Sequence, residues 1–202
     1  MSHRVRTVRH ALSEQRIMQF IGYCLCIFIA VFCHAHPLTD NDMAVEIHAM
    51  FSKDQQARRN QDRAAIRAID AENAPKIIAI IDNEGIPKIS AIGDIAAGHF
   101  VNLVLHLDMQ YLSYQQKVLD ALAQYVKEGE ARISNYAYLY DRVQVRRGRP
   151  QKWGTQGRCV GKHWVMYAVE NKAILDWRRH QIGLPKIEDY RALLASQHGC
   201  GW

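Results

Sequence analysis

Three groups of polar side chains could do chemistry, and the first interrupts an apolar stretch of the chain. His99, Asn102 and His106 recur at i, i+3 and i+7, so they line one stripe of a predicted helix. Asp108 follows two positions after His106, and an imidazole beside a carboxylate can act as a general acid or base. The alternative is that His106 is a core histidine whose charge stabilises the C-terminal end of its helix.

The second group is the pair Asp141 and Arg142. An arginine can hold a carboxylate or a phosphate with two parallel hydrogen bonds. The same guanidinium can instead join two helices. We therefore treat Asp141 as a candidate catalytic residue and Arg142 as a candidate binding residue, and leave the structural interpretation open.

The third group lies on a predicted turn and consists of Gln151, Thr155 and Gln156, with Gly154 between them. Amides and a hydroxyl on a turn suit recognition of a polar ligand. They equally suit a turn whose side chains satisfy its own backbone. A further pair, Asp54 and Arg58, has the i, i+4 spacing of an ion pair within one helix, which we expect on a solvated face.

Sequence signatures of the common cofactor and metal sites are absent. The chain contains no C-x-x-C, H-E-x-x-H, G-x-S-x-G or G-x-G-x-x-G motif and no P-loop. A metal site from His99, His106 and Asp108 is geometrically conceivable but lacks a recognised ligand spacing. The sequence therefore predicts no metal site and no haem, flavin or nucleotide cofactor.

These residues must be positioned by helices, because apolar residues recur at helical spacing through most of the chain. We predict helices over about 43–59, 62–72, 95–108, 111–128, 134–142, 172–182 and 187–197, and one that starts at Asn73–Pro75 and stops at Gly85. The helix over 95–108 is apolar nearly all round, which is typical of a central helix. Residues 151–158 and 162–169 predict one small hairpin. The expected fold class is mainly α, in one compact domain over 40–197 followed by a tail over 198–202.

A hydrophobic leader precedes this domain. Residues 1–16 are polar and basic, residues 17–33 carry no charge, and the small residue Ala35 follows. This order is typical of a secretory signal peptide over 1–35. An uncleaved anchor with the same topology is the alternative. The expected location is periplasmic or secreted, with contact to a membrane only through a retained leader.

The net charge is mild once the leader is set aside, and the cysteine content agrees with export. The net charge is +6, but the leader carries four arginines against one glutamate, so the remaining 22 basic and 19 acidic residues give only +3. This excess does not favour nucleic-acid binding. Cys159 and Cys200 are the two cysteines outside the leader, and we predict a disulfide between them. Two unpaired thiols are the alternative.

Short motifs spread over residues 45–195 resemble those of an uncharacterised bacterial family, a domain of unknown function. The matching elements are D-Q-x-x-R at 54–58, G-x-P at 85–87, H-x-D at 106–108, D-R at 141–142, P-Q-x-aromatic-G-T-Q at 150–156, and R-x-x-x-G-L-P at 179–185 with Tyr190. Leu105 stands where the family pattern has glutamine, and Trp153 where it has tyrosine. The resemblance implies a single domain and no particular activity.

Together these observations predict an exported domain with a polar pocket formed by the three groups. If the domain is an enzyme, His106 is the general acid or base, Asp108 or Asp141 orients it, and Arg142 binds an anion. Hydrolysis or group transfer without a cofactor is then the expected reaction class. The alternative is a non-catalytic module that binds a polar or anionic ligand or an envelope protein.

Overall fold

The computed structural model describes residues 39–161 and 163–198, which belong to one compact unit, Pro37–Trp202. The predicted leader, the tail after 198 and Cys200 lie outside the described residues. The helices are α1 Asp40–Arg59, α2 Arg63–Ala79, α3 Ile89–Ile92, α4 Asp94–His106, α5 Leu112–Glu128, α6 Ile133–Arg146, α7 Leu175–His180 and α8 Ile187–His198. The strands are β1 Gly157–Val160 and β2 His163–Met166. This arrangement confirms the mainly α class with one hairpin.

Helix α1 begins earlier than the sequence predicts. Thr39 is its N-cap, and the Thr39 hydroxyl accepts a hydrogen bond from the backbone N–H of Asp42, so the helix starts before the predicted residue 43. Acidic residues occupy the first turn, and Arg58 and Arg59 occupy the last. Negative charge at the start of a helix and positive charge at its end both stabilise the helix through its dipole.

Helix α2 corrects the prediction of two separate helices over 62–85. Asp62 caps it through the N–H groups of Ala64 and Ala65. Pro75, which we expected near a helix start, lies inside it. The proline removes only one backbone hydrogen bond, and burial of the neighbouring Ala74 and Ile77 keeps the chain helical across it. A π-helical turn, Ile80–Glu84, follows directly.

Helix α4 lies at the centre of the core, as its composition predicts. It packs against α1, α2, α3, α5 and α6, and Phe100, Leu103 and Val104 are at most 1% exposed. The helix ends at His106 because Leu107 takes an extended conformation, with φ −54° and ψ 140°. The catalytic candidate His106 is therefore the last residue of a buried helix, where side chains from other elements can reach it.

Helix α6 is longer than predicted and ends at Arg146 rather than near Arg142. Its N-cap is Arg132, which forms no capping hydrogen bond through its side chain. The Arg132 guanidinium instead pairs with Asp94 at the start of α4. The extra turn at the other end brings Arg146 onto the carbonyl groups that follow α4.

The hairpin is shorter than predicted and starts later. Strands β1 and β2 pair antiparallel, with Gly157 opposite Met166 and Val160 opposite His163. Residues 151–156 form a turn instead of the first strand, and only a parallel bridge joins Gln151 to Val169. The backbone N–H groups of Lys152, Trp153 and Thr155 donate to the side chain of Asp141 instead of to a neighbouring strand.

The two C-terminal helices are confirmed near their predicted positions, and α7 is shorter than expected. The Asp176 carboxylate accepts a hydrogen bond from the N–H of Ile187, which ties α7 to the start of α8. None of the helices among the described residues has both the length and the apolar character that crossing a membrane requires.

Candidate functional site

The orienting partner of His106 is Asp54, a residue of α1. His106 Nδ1 lies 3.0 Å from Oδ1 of Asp54. Neither Asp108 nor Asp141, the two partners expected from the sequence, forms a hydrogen bond with His106 within the described part of the chain. Asp54 is 1% exposed, which corrects the expectation of a solvated face for the Asp54–Arg58 pair.

Arg58 joins this pair to a second carboxylate. Its Nε donates to Oδ1 of Asp54 at 2.9 Å, and its Nη2 donates to Oδ1 of Asp70 at 2.6 Å. The amide of Gln55 donates to the other oxygen of Asp54 at 2.8 Å. Asp54 thus carries three hydrogen bonds, which is how a buried carboxylate keeps its charge.

The protonation of the Asp54–His106 pair follows from its surroundings. Burial alone would raise the pKa of Asp54, but the hydrogen bond with His106 and then the hydrogen bond and charge of Arg58 hold it below its ordinary value. Burial lowers the pKa of His106, and the charges of Arg58 and Arg142 add to this effect against the Asp54 hydrogen bond. We therefore assign an ionised Asp54 and a neutral His106 at pH 7, because Arg58 already supplies the positive charge that neutralises the carboxylate.

This assignment fixes the tautomer of His106. An ionised carboxylate only accepts hydrogen bonds, so Nδ1 must carry the proton. Nε2 then holds the free lone pair. It forms no hydrogen bond with any residue in the described ranges, and the His106 side chain is 20% exposed. Nε2 is the nitrogen that can take a proton from a bound molecule.

Asp70 behaves differently from Asp54, although both contact Arg58. Burial raises the pKa of Asp70 to about 6, assisted by the nearby negative charges of Asp54 and Asp108 and opposed by Arg58. Asp108, predicted as catalytic, follows α4 with an exposed side chain. It acts on the site through its charge.

Arg142 supplies a guanidinium that forms no ion pair with any carboxylate of the described residues. Its Nε is buried, and no described residue accepts a hydrogen bond from it. Burial lowers the pKa of Arg142 to about 10, and the charges of Arg146 and Arg58 add to this. Arg142 therefore remains positive at pH 7, and its charge reaches His106.

The end of α4 is held rigidly by a separate set of contacts. The Gln115 amide donates to the carbonyl of Val104 at 2.8 Å. Arg146 donates to the carbonyls of Leu107 and Asp108 and to the Gln115 side chain. Because the last carbonyls of a helix lack backbone partners, these bonds fix the position of His106. Neither Gln115 nor Arg146 was among the predicted site residues.

The other two residues of the predicted stripe contact nearby residues instead of Asp54, although the buried Nδ1 of His99 has no hydrogen-bond partner among the described residues. The ring of His99 stacks on Phe51 with centroids 3.8 Å apart and lies 4.9 Å from the His48 ring. Asn102 donates to the carbonyl of Gly98, one turn back on α4, at 2.9 Å. The three residues therefore share one face of α4, but of the three only His106 forms a hydrogen bond with Asp54.

Asp141 holds the turn over 151–156 rather than His106. Its two carboxylate oxygens accept from the backbone N–H groups of Lys152, Trp153 and Thr155 and from the Thr155 hydroxyl, at 2.7 to 3.2 Å. Asp141 is fully buried. The Asp141 carboxylate thus accepts the hydrogen bonds that the carbonyl groups of a paired strand would otherwise accept.

The predicted ligand-binding amides of the turn also point inward. Gln151 donates to the carbonyls of Gln156 and Tyr167, and its oxygen accepts from the N–H of Gln156. The Gln156 amide donates to the Thr155 hydroxyl at 3.0 Å. Gln151, Thr155 and Gln156 are at most 7% exposed. Their partners within the described chain belong to the turn and the adjacent elements.

The predicted pocket is therefore two clusters that share α6. Asp141 belongs to the cluster with the turn, and the charge of the next residue, Arg142, acts on His106 in the other. Asp54 is the site residue that the sequence analysis missed, because it placed the Asp54–Arg58 pair on a solvated face. Its D-Q-x-x-R motif, with His106 in the H-x-D motif, was the available signal.

Comparisons with known proteins identify a family but no activity. No curated protein and no solved structure matches the chain significantly. The predicted membership in a family of unknown function is confirmed by a family model that matches residues 39–201. This match covers most of the chain, which therefore belongs to the family of unknown function DUF6624.

Proposed function

We propose that this domain binds an anionic molecule at Arg142 and acts on it by hydrolysis or group transfer, with His106 as the general acid or base. Asp54 orients His106 and fixes its tautomer. The observation that carries the proposal is the pairing of His106 with Asp54, together with the buried guanidinium of Arg142, which pairs with no carboxylate of the described residues and whose charge acts on His106. A base, its orienting group and an anion clamp are the minimal parts of such a site.

The geometry leaves one side of His106 for the substrate. Nδ1 faces Asp54 and the crevice beside it, which is lined by Asp70 and Asn73 among others. This crevice has no room for an organic molecule. A substrate would therefore approach Nε2 from outside this crevice, attracted by the positive charge of Arg142, which acts on His106.

The narrow crevice favours one second candidate, a binding module without catalysis. In that case the Asp54–Arg58–Asp70 network serves to join α1, α2 and α4, and Arg142 still binds the anion. The two candidates share the anion site and differ in the role of Nε2.

The test combines binding and turnover with the full-length chain. Inorganic phosphate serves as the binding probe in calorimetry, and 4-nitrophenyl phosphate and 4-nitrophenyl hydrogen succinate serve as substrates. We expect Arg142→Gln to weaken phosphate binding about tenfold or more, and His106→Gln to abolish turnover while phosphate still binds. Arg147→Gln and His180→Gln, at exposed positions, are the matched controls.

The outcomes separate the candidates. Phosphate binding that depends on Arg142, without turnover of either ester, favours the binding module. Failure of the chain to bind phosphate, or equal binding by the Arg142→Gln variant, contradicts both.

We also propose that the domain is exported, on the strength of the leader sequence alone. Mass spectrometry of protein recovered from the periplasm or medium should show a chain that begins at His36. Intact Met1 in a membrane fraction would identify the leader as an anchor instead, and recovery only from the cytoplasm would contradict export.

A further inference from the structure

Three side chains around the crevice offer metal-ligating atoms that converge. The carboxylates of Asp54 and Asp70 and the imidazole of His106 each present one ligand atom, and these atoms all lie within 4.8 Å of one another. They come from three helices, α1, α2 and α4. Ligands about 2.1 Å from a metal ion are at most about 4.2 Å apart. Inward movement of about half an ångström would therefore bring the three onto one ion.

A fourth donor faces the same crevice. Asn73 lies one turn after Asp70 on α2, lines the crevice, and is 4% exposed. Its side-chain amide forms no hydrogen bond with any residue in the described part of the chain. A nearly buried amide is normally hydrogen-bonded, so the Asn73 oxygen is available to a ligand that the crevice can hold.

The size of the crevice and its charge select the class of ligand. It is too narrow for an organic molecule, but a bare divalent ion needs only the space between its ligands. Two carboxylates facing one another require a positive charge, which Arg58 now provides from a side chain that is 24% exposed. A partly exposed guanidinium can swing towards solvent when another cation replaces it.

We propose that Asp54, Asp70, Asn73 and His106 bind one divalent transition-metal ion in exchange for the guanidinium of Arg58. A set of two carboxylates, one amide oxygen and one imidazole suits Zn²⁺ or Mn²⁺. Coordination of Nδ1 shifts the His106 proton to Nε2, so the bound ion removes the lone pair that acts as the base. The ion would therefore inhibit the reaction proposed above, yet its binding does not depend on that reaction.

Calorimetry with ZnCl₂ alone tests this inference, using the full-length chain without a histidine tag after dialysis against EDTA. We expect one saturable site. Asp70→Asn should weaken it about tenfold or more, and so should Asn73→Ala, which removes no ion pair. Glu72→Gln, an exposed acid on the same helix, should leave the affinity within about twofold.

The variant Arg58→Gln gives the sharpest result, because only metal exchange predicts a gain. Without its competitor the ion should bind more tightly, and added Zn²⁺ should raise the melting temperature of this variant more than that of the original chain. Binding that is absent, or equally strong in the Asp70→Asn and Asn73→Ala variants, would overturn the inference. So would weaker binding by a folded Arg58→Gln chain, as judged by circular dichroism. Zinc binding tests the metal site alone, whereas phosphate binding and ester turnover test the proposed function, so the two proposals can fail independently.

Discussion

His106 Nδ1 and Asp54 Oδ1 lie 3.0 Å apart although 52 positions separate the two residues. The contact joins the end of the central helix α4 to the last turns of α1. Because Asp54 is buried, it depends on His106, Arg58 and Gln55 for the hydrogen bonds that water would otherwise provide. Both the stability of the fold and the chemistry of the site therefore depend on this one carboxylate.

Replacing Asp54 with asparagine should destabilise the domain. The change removes a buried charge that balances Arg58 and leaves that guanidinium with Asp70 alone. We expect the free energy of unfolding to fall by about 3 kcal/mol, as when one partner of a buried ion pair is lost. Urea denaturation measures this loss. Asp189→Asn, at an exposed position, should change the stability little, and an equal loss in both variants would contradict the assigned role.

Asp70 should give the stability a distinct pH dependence. Its pKa is raised in the fold to about 6 from the ordinary 3.8, so the folded chain favours the protonated form. Its contribution is complete below about pH 4 and is lost as the pH rises through about 6. In EDTA buffer, the unfolding free energy of the original chain minus that of Asp70→Asn should fall by about 1–3 kcal/mol over this range.

His106 contributes to the pH dependence with the opposite sign. Its pKa is lowered, so its contribution is lost as the pH falls below about 6.5, but this term is common to both chains and cancels in the difference. A difference that is constant from pH 4 to pH 7 would show that Asp70 is ionised throughout.

Asp141→Asn tests the interpretation that this residue holds the turn. An amide NH₂ would face an N–H donor where a carboxylate oxygen now accepts. We expect a loss of about 3 kcal/mol in the free energy of unfolding and faster hydrogen exchange at the amides of Trp153 and Thr155. Phosphate binding of the folded variant should persist. Unchanged exchange at both amides would contradict the structural role.

Gly154 tests the packing of the same turn. Its φ is +67°, and an added Cβ would lie 2.7 Å from the sulfur of Met166. Gly161 has a similar φ of +58° but open space around it, so Gly161→Ala measures the backbone strain alone. We expect a loss of about 1 kcal/mol for Gly161→Ala and about 2–3 kcal/mol for Gly154→Ala. Equal losses would show that Met166 moves aside without cost.

The sequence predicted the elements better than their contacts, for physical reasons that particular residues illustrate. Helix α4 was predictable because residues such as Phe100 and Val104 repeat at helical spacing. Pro75 misled the prediction, because local propensity placed a helix start where tertiary burial of Ile77 kept the helix intact.

The pairing within the site was harder to predict, because it depends on how distant segments pack. Asp108 is close to His106 in sequence, whereas Asp54 is close to it only in the folded structure. The sequence pattern alone therefore favours Asp108 as the partner. Residue type alone marks Asp141 and the amides of Gln151 and Gln156 as polar groups that need hydrogen-bond partners. Whether those partners were a ligand or the turn itself could not be read from residue types.

The protonation state of His106 is the most direct test of this account. Nitrogen-15 NMR of the histidine side chains at pH 7, assigned with the His106→Gln variant, reports which ring nitrogen carries a proton. We predict a protonated Nδ1 and a bare Nε2 for His106, with the Nε2 signal shifting when inorganic phosphate is added. A proton on both nitrogens, or a bare Nδ1, would contradict the assignment of His106 as a base oriented by Asp54.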